Sequence, residues 1–160
     1  MQQPGRFGPE EKDMIKIPIR VLIVDDEVDF VDMLSLRLEE AGEKVVPAYS
    51  GRECLEILKK LQIDVVILDI KMPGMDGIQT LREIKKNFPL VEVIMLTGHG
   101  TTETAVEGMK LGAFDYLLKP TEFHELLDKL ENARKRKDEQ EERIRKAEAK
   151  LLLRKSGEIF

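Results

Sequence analysis

Residues 65–77 read Val-Val-Ile-Leu-Asp-Ile-Lys-Met-Pro-Gly-Met-Asp-Gly, and this stretch restricts the fold more than any other. Four consecutive β-branched or aliphatic residues, stopped soon after by Pro-Gly, form the pattern of a strand buried on both faces of a parallel sheet. Asp69 falls at the end of that strand. In an open α/β sheet, ligands bind in the crevice beyond the carboxyl ends of the strands, so Asp69 stands at a functional address. Taken alone, the same Asp serves equally well as a residue that opens a turn before Pro-Gly.

Three other apolar runs also end in chemically useful groups. Residues 19–24 lead into Asp25-Asp26-Glu27, residues 91–96 into Thr97-Gly98, and residues 113–118 into Lys119-Pro120. If these strands lie side by side and parallel, one edge of one sheet gathers carboxylates, a hydroxyl and an ammonium.

Between the runs lie amphipathic stretches, the alternation of βαβ units that builds a doubly wound parallel sheet. The spacing predicts a helix over 28–41 with Phe30, Met33, Leu34 and Leu38 inward, and a short strand over 44–49. Ser50 and Glu53 have the spacing of a capping box, opening a helix with Leu55, Leu58 and Leu61 inward. A third helix buries Ile78, Leu81 and Ile84 and stops before Pro89. A fourth, over 101–111, has weak propensity because of its threonines and Gly108. A fifth strand and a last helix from about Thr121, with Phe123, Leu126, Leu127 and Leu130 inward, close the domain.

Flanking segments differ in kind. Residues 1–18 mix Gly, Pro, Gln and charge without period and are expected to form a flexible arm. Residues 19–134 hold the domain, and residues 135–160 a charged helical tail that continues the last helix. That tail has Glu139/Arg143, Glu141/Arg145 and Glu142/Lys146 at i, i+4 spacing. Ile144, Ala147 and Leu151 mark one short coiled-coil-like seam, interrupted at Lys137 and Gln140.

A net charge of −5 argues against a general nucleic-acid binder. No apolar run approaches the roughly 20 residues of a membrane span and none follows the start as a signal peptide would, so a cytoplasmic protein without membrane contact is expected. Cys54, the single cysteine, reads as a buried thiol in a helix.

Converging carboxylates call for a divalent cation with oxygen ligands, most simply Mg²⁺. Asp26 and Asp69 are the candidate direct ligands, with the carbonyl of Lys71 completing the oxygen set. Mg²⁺ held by few carboxylates and several waters is typically found beside a phosphoryl group. Lys119 then offers a point charge to one phosphoryl oxygen and Thr97 a hydroxyl to another. Asp69 is left as the nucleophile, since a carboxylate forms an aspartyl phosphate once its charge is offset.

Taken together, Val-Asp-Asp-Glu after the first strand, Asp69 to Gly77 after the third, Leu-Thr-Gly after the fourth and Tyr-Leu-Leu-Lys-Pro at the fifth resemble the receiver domain of two-component response regulators. The resemblance covers about residues 19–134, with every motif in order. It implies a CheY-like, flavodoxin-like (βα)₅ fold that takes a phosphoryl group onto Asp69, with Mg²⁺, from the phosphohistidine of a sensor histidine kinase or phosphotransfer protein. It implies that Asp26 and Asp69 bind the metal directly, that Asp25 acts through water, that Thr97 and Lys119 hold the phosphoryl group, and that Lys119-Pro120 is cis. It also makes Tyr116 a switch aromatic and Lys71 and His99 modulators of rate. By the same resemblance the fourth helix, fifth strand and fifth helix form the face that changes and meets a downstream protein. Self-phosphorylation from small donors and slow autodephosphorylation go with it, in a signalling domain rather than an enzyme.

Two other readings compete. A haloacid dehalogenase-type phosphatase also places a nucleophilic Asp at a strand end, but Lys71 stands where that class has its second Asp. An unphosphorylated scaffold of the same fold is the other, against which stands the full set of site residues. The stretch after residue 133 is too short for an ATPase or helix-turn-helix domain, so the expectation is a single-domain regulator acting through protein contacts, homodimers included, without touching nucleic acid.

Overall fold

The computed structural model describes residues 16–157. Most of the expected N-terminal arm lies outside these residues. Its last part is coil, held where Lys16 pairs with Glu43 at 2.8 Å.

Five parallel strands form one sheet in the order β2-β1-β3-β4-β5: β1 (Arg20–Val24), β2 (Lys44–Ala48), β3 (Val65–Leu68), β4 (Glu92–Thr97) and β5 (Asp115–Leu118). Between them run α1 (Val28–Glu40), α2 (Gly51–Lys60), α3 (Gly77–Asn87) and α4 (Thr102–Lys110), and α5 (Phe123–Lys155) follows β5. Alternation of side chains across each strand divides the core in two. Leu22, Val24, Val66, Leu68, Val93 and Met95 pack towards Cys54, Leu58, Leu81 and Ile84 of α2 and α3. On the opposite face Val21, Ile23, Val65, Ile67, Ile94 and Leu96 meet Leu34 and Leu38 of α1 and Leu126, Leu130 and Ala133 of α5. Both faces are covered, which is why β1, β3 and β4 read as almost unbroken apolar runs.

Several inward positions differ from expectation. In α1 the buried residues are Val31, Leu34 and Leu38, whereas Met33 is 54% exposed. Leu61 caps the C-terminus of α2 instead of lining its buried face, which belongs to Cys54 and Leu58. Ser50 accepts the Glu53 N–H as a cap should, but the Glu53 carboxylate turns back to the Tyr49 N–H at 2.8 Å, one residue short of a reciprocal box. Complete capping boxes open α3, from Asp76 and Gln79, and α4, from Thr101 and Thr104.

Beneath the sheet, at the amino ends of the strands, lies a set of buried charges. Arg20 binds Asp64 with paired contacts of 2.8 and 3.2 Å, and Lys137 reaches the same carboxylate at 3.2 Å. Arg136 meets Glu92, the first residue of β4, at 2.9 Å. These contacts extend the seat of α5 one turn past Ala133, and the helix then runs on to Lys155 without a break. The pairs along it are Arg134–Asp138, Lys137–Glu141 and Glu142–Arg145, not the three i, i+4 pairs expected. Ile144 and Leu151 are exposed. Cys54 is fully buried, and burial pushes its thiol up to about 12, which leaves it inert.

Candidate functional site

Strand register brings the site residues to one edge. Val24 pairs with Leu68, so Asp25 and Asp69 are the next residues out, and the Asp69 N–H continues the ladder by donating to the Val24 carbonyl at 2.9 Å. Thr97 ends β4 opposite Leu118, and the Lys119 N–H donates to the Thr97 carbonyl, also at 2.9 Å. The polar groups are therefore held by the same backbone hydrogen bonds that hold the sheet. The Lys119-Pro120 bond is cis, as the resemblance implied.

Asp25, Asp26 and Asp69 form a cluster whose carboxylate oxygens lie within 4.8 Å of one another. Asp25 and Asp69 are buried and Asp26 is exposed. The Asp69 Oδ1 is buried without a hydrogen-bond partner among the described residues. A buried carboxylate oxygen left unpaired is costly, and a set of hard oxygens beside it suits a cation such as Mg²⁺. The residues present fit the metal that the fold family implies. Burial pushes the Asp69 carboxyl above the usual carboxylate range and the neighbouring Asp25 charge adds to this, while Thr97, Lys119 and the Ile70 N–H pull the other way.

Lys119 is engaged with its neighbours. Its Nζ sits 2.6 Å from Asp25 Oδ2, 3.1 Å from Glu27 Oε1 and 3.9 Å from the centre of the Phe30 ring. Burial works against the charged lysine, but Asp25 and Glu27 outweigh it and hold the ammonium above its ordinary value. Glu27 and Phe30 were not singled out in the sequence. Glu27 follows the acidic pair directly, and helical spacing places Phe30 in the core alone.

Thr97 is completely buried, and its Oγ1 accepts the His99 N–H at 3.1 Å. The His99 and Lys71 side chains are exposed in the loops that flank the site. Tyr116 is half-buried on β5, and its hydroxyl lies 3.0 Å from Thr104 Oγ1 on α4. Gly77 permits a close approach: a β-carbon there would overlap the Asp69 carbonyl oxygen, and the Gly77 N–H donates to the Ile70 carbonyl at 2.7 Å. The final Gly of the Asp-Gly pair at residues 76–77 thus lets the start of α3 press against the loop that carries Asp69.

This geometry matches known proteins. A family model described as response regulator receiver domain matches residues 21–131. The transcriptional regulatory protein ZraR of Salmonella typhimurium is 42% identical over 120 residues, which are 75% of this chain and 27% of that protein. A putative response regulator, NtrX-like, of Rickettsia bellii is 43% identical over 72% of this chain and 24% of its own length. The chain thus spans about a quarter of the length of these curated relatives. Among solved structures, a receiver domain protein from Clostridium thermocellum superposes with TM-score 0.72 at 43% identity, covering 75% of this chain and 97% of the other. A CheY-like receiver domain protein from Methanospirillum hungatei gives 0.74 at 30% identity, covering 78% and 99%. No helix among the described residues is long and apolar enough to cross a membrane. Relatives described as transcriptional regulators weigh against extending the expected lack of nucleic-acid contact to a whole protein built on this domain. With its five-stranded sheet, its acidic cluster and its matches in sequence and structure, the chain belongs to the response regulator receiver family.

Proposed function

We propose that this receiver accepts a phosphoryl group on the Asp69 carboxylate from the phosphohistidine of a sensor histidine kinase or phosphotransfer protein. The observation that carries the reading is the buried, unpartnered Asp69 Oδ1 beside Asp25 and Asp26 at the open end of the sheet. An Asp69 oxygen attacks phosphorus as the bond to the donor imidazole nitrogen breaks, and that nitrogen keeps the electron pair and takes a proton. Asp25, Asp26, Asp69 and the Lys71 carbonyl would hold Mg²⁺, which when bound offsets the negative charge of the carboxylates and the incoming phosphoryl oxygens. Lys119 exchanges its contact with Asp25 for a phosphoryl oxygen, and the Thr97 hydroxyl leaves the His99 N–H for another. Tyr116 then enters the space Thr97 vacates, and α4, β5 and α5 present a changed face to a downstream protein. Lys71 and His99, exposed beside the site, set the access of water to the acyl phosphate and so its lifetime.

The receiver proper spans about residues 19–134, and the charged part of α5 follows it. The relatives' role in transcription is said of those proteins; what we assign here is phosphoryl reception. The haloacid dehalogenase reading has no acid at Lys71 to support it. The test is the intact mass after incubation with acetyl phosphate and Mg²⁺, with Asp69→Asn and a chelated sample alongside. A phosphoryl adduct that needs both Asp69 and the metal is expected. No adduct from acetyl phosphate or from an active kinase overturns the reading in favour of an unphosphorylated scaffold.

A further inference from the structure

Thr104 is the polar residue near the switch that the phosphoryl chemistry does not use. It sits in the first turn of α4, where its backbone N–H donates to Thr101 Oγ1 at 3.1 Å. Its own Oγ1 lies 2.9 Å from the Thr101 nitrogen, 3.0 Å from the Thr101 carbonyl oxygen, 3.1 Å from Thr101 Oγ1 and 3.0 Å from the Tyr116 hydroxyl. A threonine hydroxyl has one proton and two lone pairs. Giving the proton to the Thr101 carbonyl leaves two lone pairs, one for the Thr101 N–H and one for the Tyr116 O–H. The hydroxyl is then saturated with Tyr116 as donor, and with its proton turned to Tyr116 instead the same single hydrogen bond joins the two side chains.

The ring has a second anchor in the same segment. A β-carbon on Gly100 would overlap the Tyr116 hydroxyl, so a glycine immediately before the Thr101 cap leaves the space that the tyrosine fills. One residue before Gly100, the His99 N–H is the donor held by Thr97. The loop from β4 to α4 is thus tied at one end to the threonine at the site and at the other to the tyrosine.

We propose that Thr104 is a positioning residue that locks the Tyr116 ring to the N-cap of α4, so that the first turn of α4 loosens when the ring leaves. This rests on the phosphoacceptor reading only for what moves the ring; the lock itself is a property of the resting molecule. Departure of Tyr116 removes one hydrogen bond from the Thr104 hydroxyl and uncovers the Gly100 backbone. It weakens the cap without touching the cap residues themselves.

The test is amide hydrogen exchange at Thr104 and Ala105, read by NMR on the 160-residue chain without any phosphoryl analogue. Tyr116→Phe keeps the ring and deletes only the hydroxyl, and exchange at both amides is expected to rise roughly two- to tenfold, the range of one net hydrogen bond. Thr104→Val gives at least the same rise and also shifts the Tyr116 ring resonances, and Thr104→Ser restores both. Magnesium and beryllofluoride added to the wild type produce the same rise, and add little in Tyr116→Phe. The proposal is overturned if Tyr116→Phe leaves the two amides exchanging as in the wild type while Thr104→Val speeds them, for Thr104 is then a cap and nothing more. If beryllofluoride fails to bind at all, the phosphoacceptor reading fails, and the two resting-state variants still decide the lock.

Discussion

The ammonium of Lys119 lies 2.6 Å from Oδ2 of Asp25, so the resting site holds a lysine against one of the three carboxylates of its acidic cluster. A cation entering that cluster does so beside a fixed positive charge. Removing the charge leaves Asp25 free and relieves the repulsion. Lys119→Ala is therefore expected to bind Mg²⁺ about three- to tenfold more tightly than the wild type, equivalent to roughly 1 kcal/mol, while losing phosphorylation. Titration calorimetry reads the first effect and intact mass with acetyl phosphate the second. Unchanged Mg²⁺ affinity would show that Lys119 does not oppose the metal.

Asp69 carries its charge in a buried place with one oxygen unpaired, which disfavours folding at neutral pH. Its carboxyl is raised in the folded state, so the unfolded chain ionises at lower pH and gains relative to the folded one as pH rises through that interval. Asp69→Asn removes the charge at almost constant volume. The variant should be more stable than the wild type by about 0.5–1 kcal/mol at pH 7 in a chelating buffer, after allowance for solvent screening. Urea unfolding measures it. Added Mg²⁺ should close the gap by stabilising the wild type more than the variant.

These two arrangements also mark what can be read from a linear sequence. Apolar runs ending in Asp25, Asp69, Thr97 and Lys119 carry the sheet and the site together, because a strand buried on both faces leaves a strong signal and its polar residue stands out. Pairing among the charged residues leaves no such signal. Glu27 and Phe30 flank Lys119 because α1 begins where it does, a fact of three-dimensional placement. Lys137 reads as an interruption in an apolar seam, yet it is buried against Asp64, a residue 73 positions earlier. Met33 and Leu61 were expected inward from spacing alone, and lie exposed because the apolar stripe of α1 turns towards Val31 and α2 ends at Lys60.

The buried pairs beneath the sheet give the domain an acid-sensitive edge. Burial would raise the Asp64 carboxyl, but the side chain and backbone N–H of Arg20, together with Lys137, more than offset it and hold the carboxyl below its usual range. A carboxyl depressed in the folded state stabilises the fold fully above the unfolded value of about 4, and that contribution is lost as pH falls through the lower folded value. Asp64→Asn should cost about 2–3 kcal/mol at pH 7, since it leaves Lys137 buried and Arg20 half paired. It should also flatten the loss of stability below about pH 4. Lys137→Met should cost only about 1 kcal/mol, because Asp64 keeps its paired contacts with Arg20. Urea midpoints over a pH series test all three, and an equal acid limb in Asp64→Asn would remove Asp64 as its source.

Beside Lys119 a groove of about 360 Å³ runs between α1 and α5, lined by Phe30, Met33, Phe123 and Leu126, with Arg37 along it. Met33 is more than half exposed there, and the Arg37 guanidinium carbon lies 4.3 Å from the centre of the Phe123 ring. An apolar surface next to the phosphoryl site is of no use to a donor as small as acetyl phosphate, which reaches Asp69 through solvent. A protein donor has to seat its histidine at the same place and gains from burying that surface. Met33→Glu should accordingly slow phosphoryl transfer from a purified kinase that phosphorylates the wild type by about tenfold or more, the equivalent of about 1.4 kcal/mol of lost contact. The rate of phosphorylation by acetyl phosphate should stay within about twofold, since none of Asp25, Asp26 and Asp69 lines the groove that holds Met33. Parallel slowing with both donors would mean that the substitution disturbs the site itself. Undiminished transfer from the kinase would place its docking surface elsewhere on the domain.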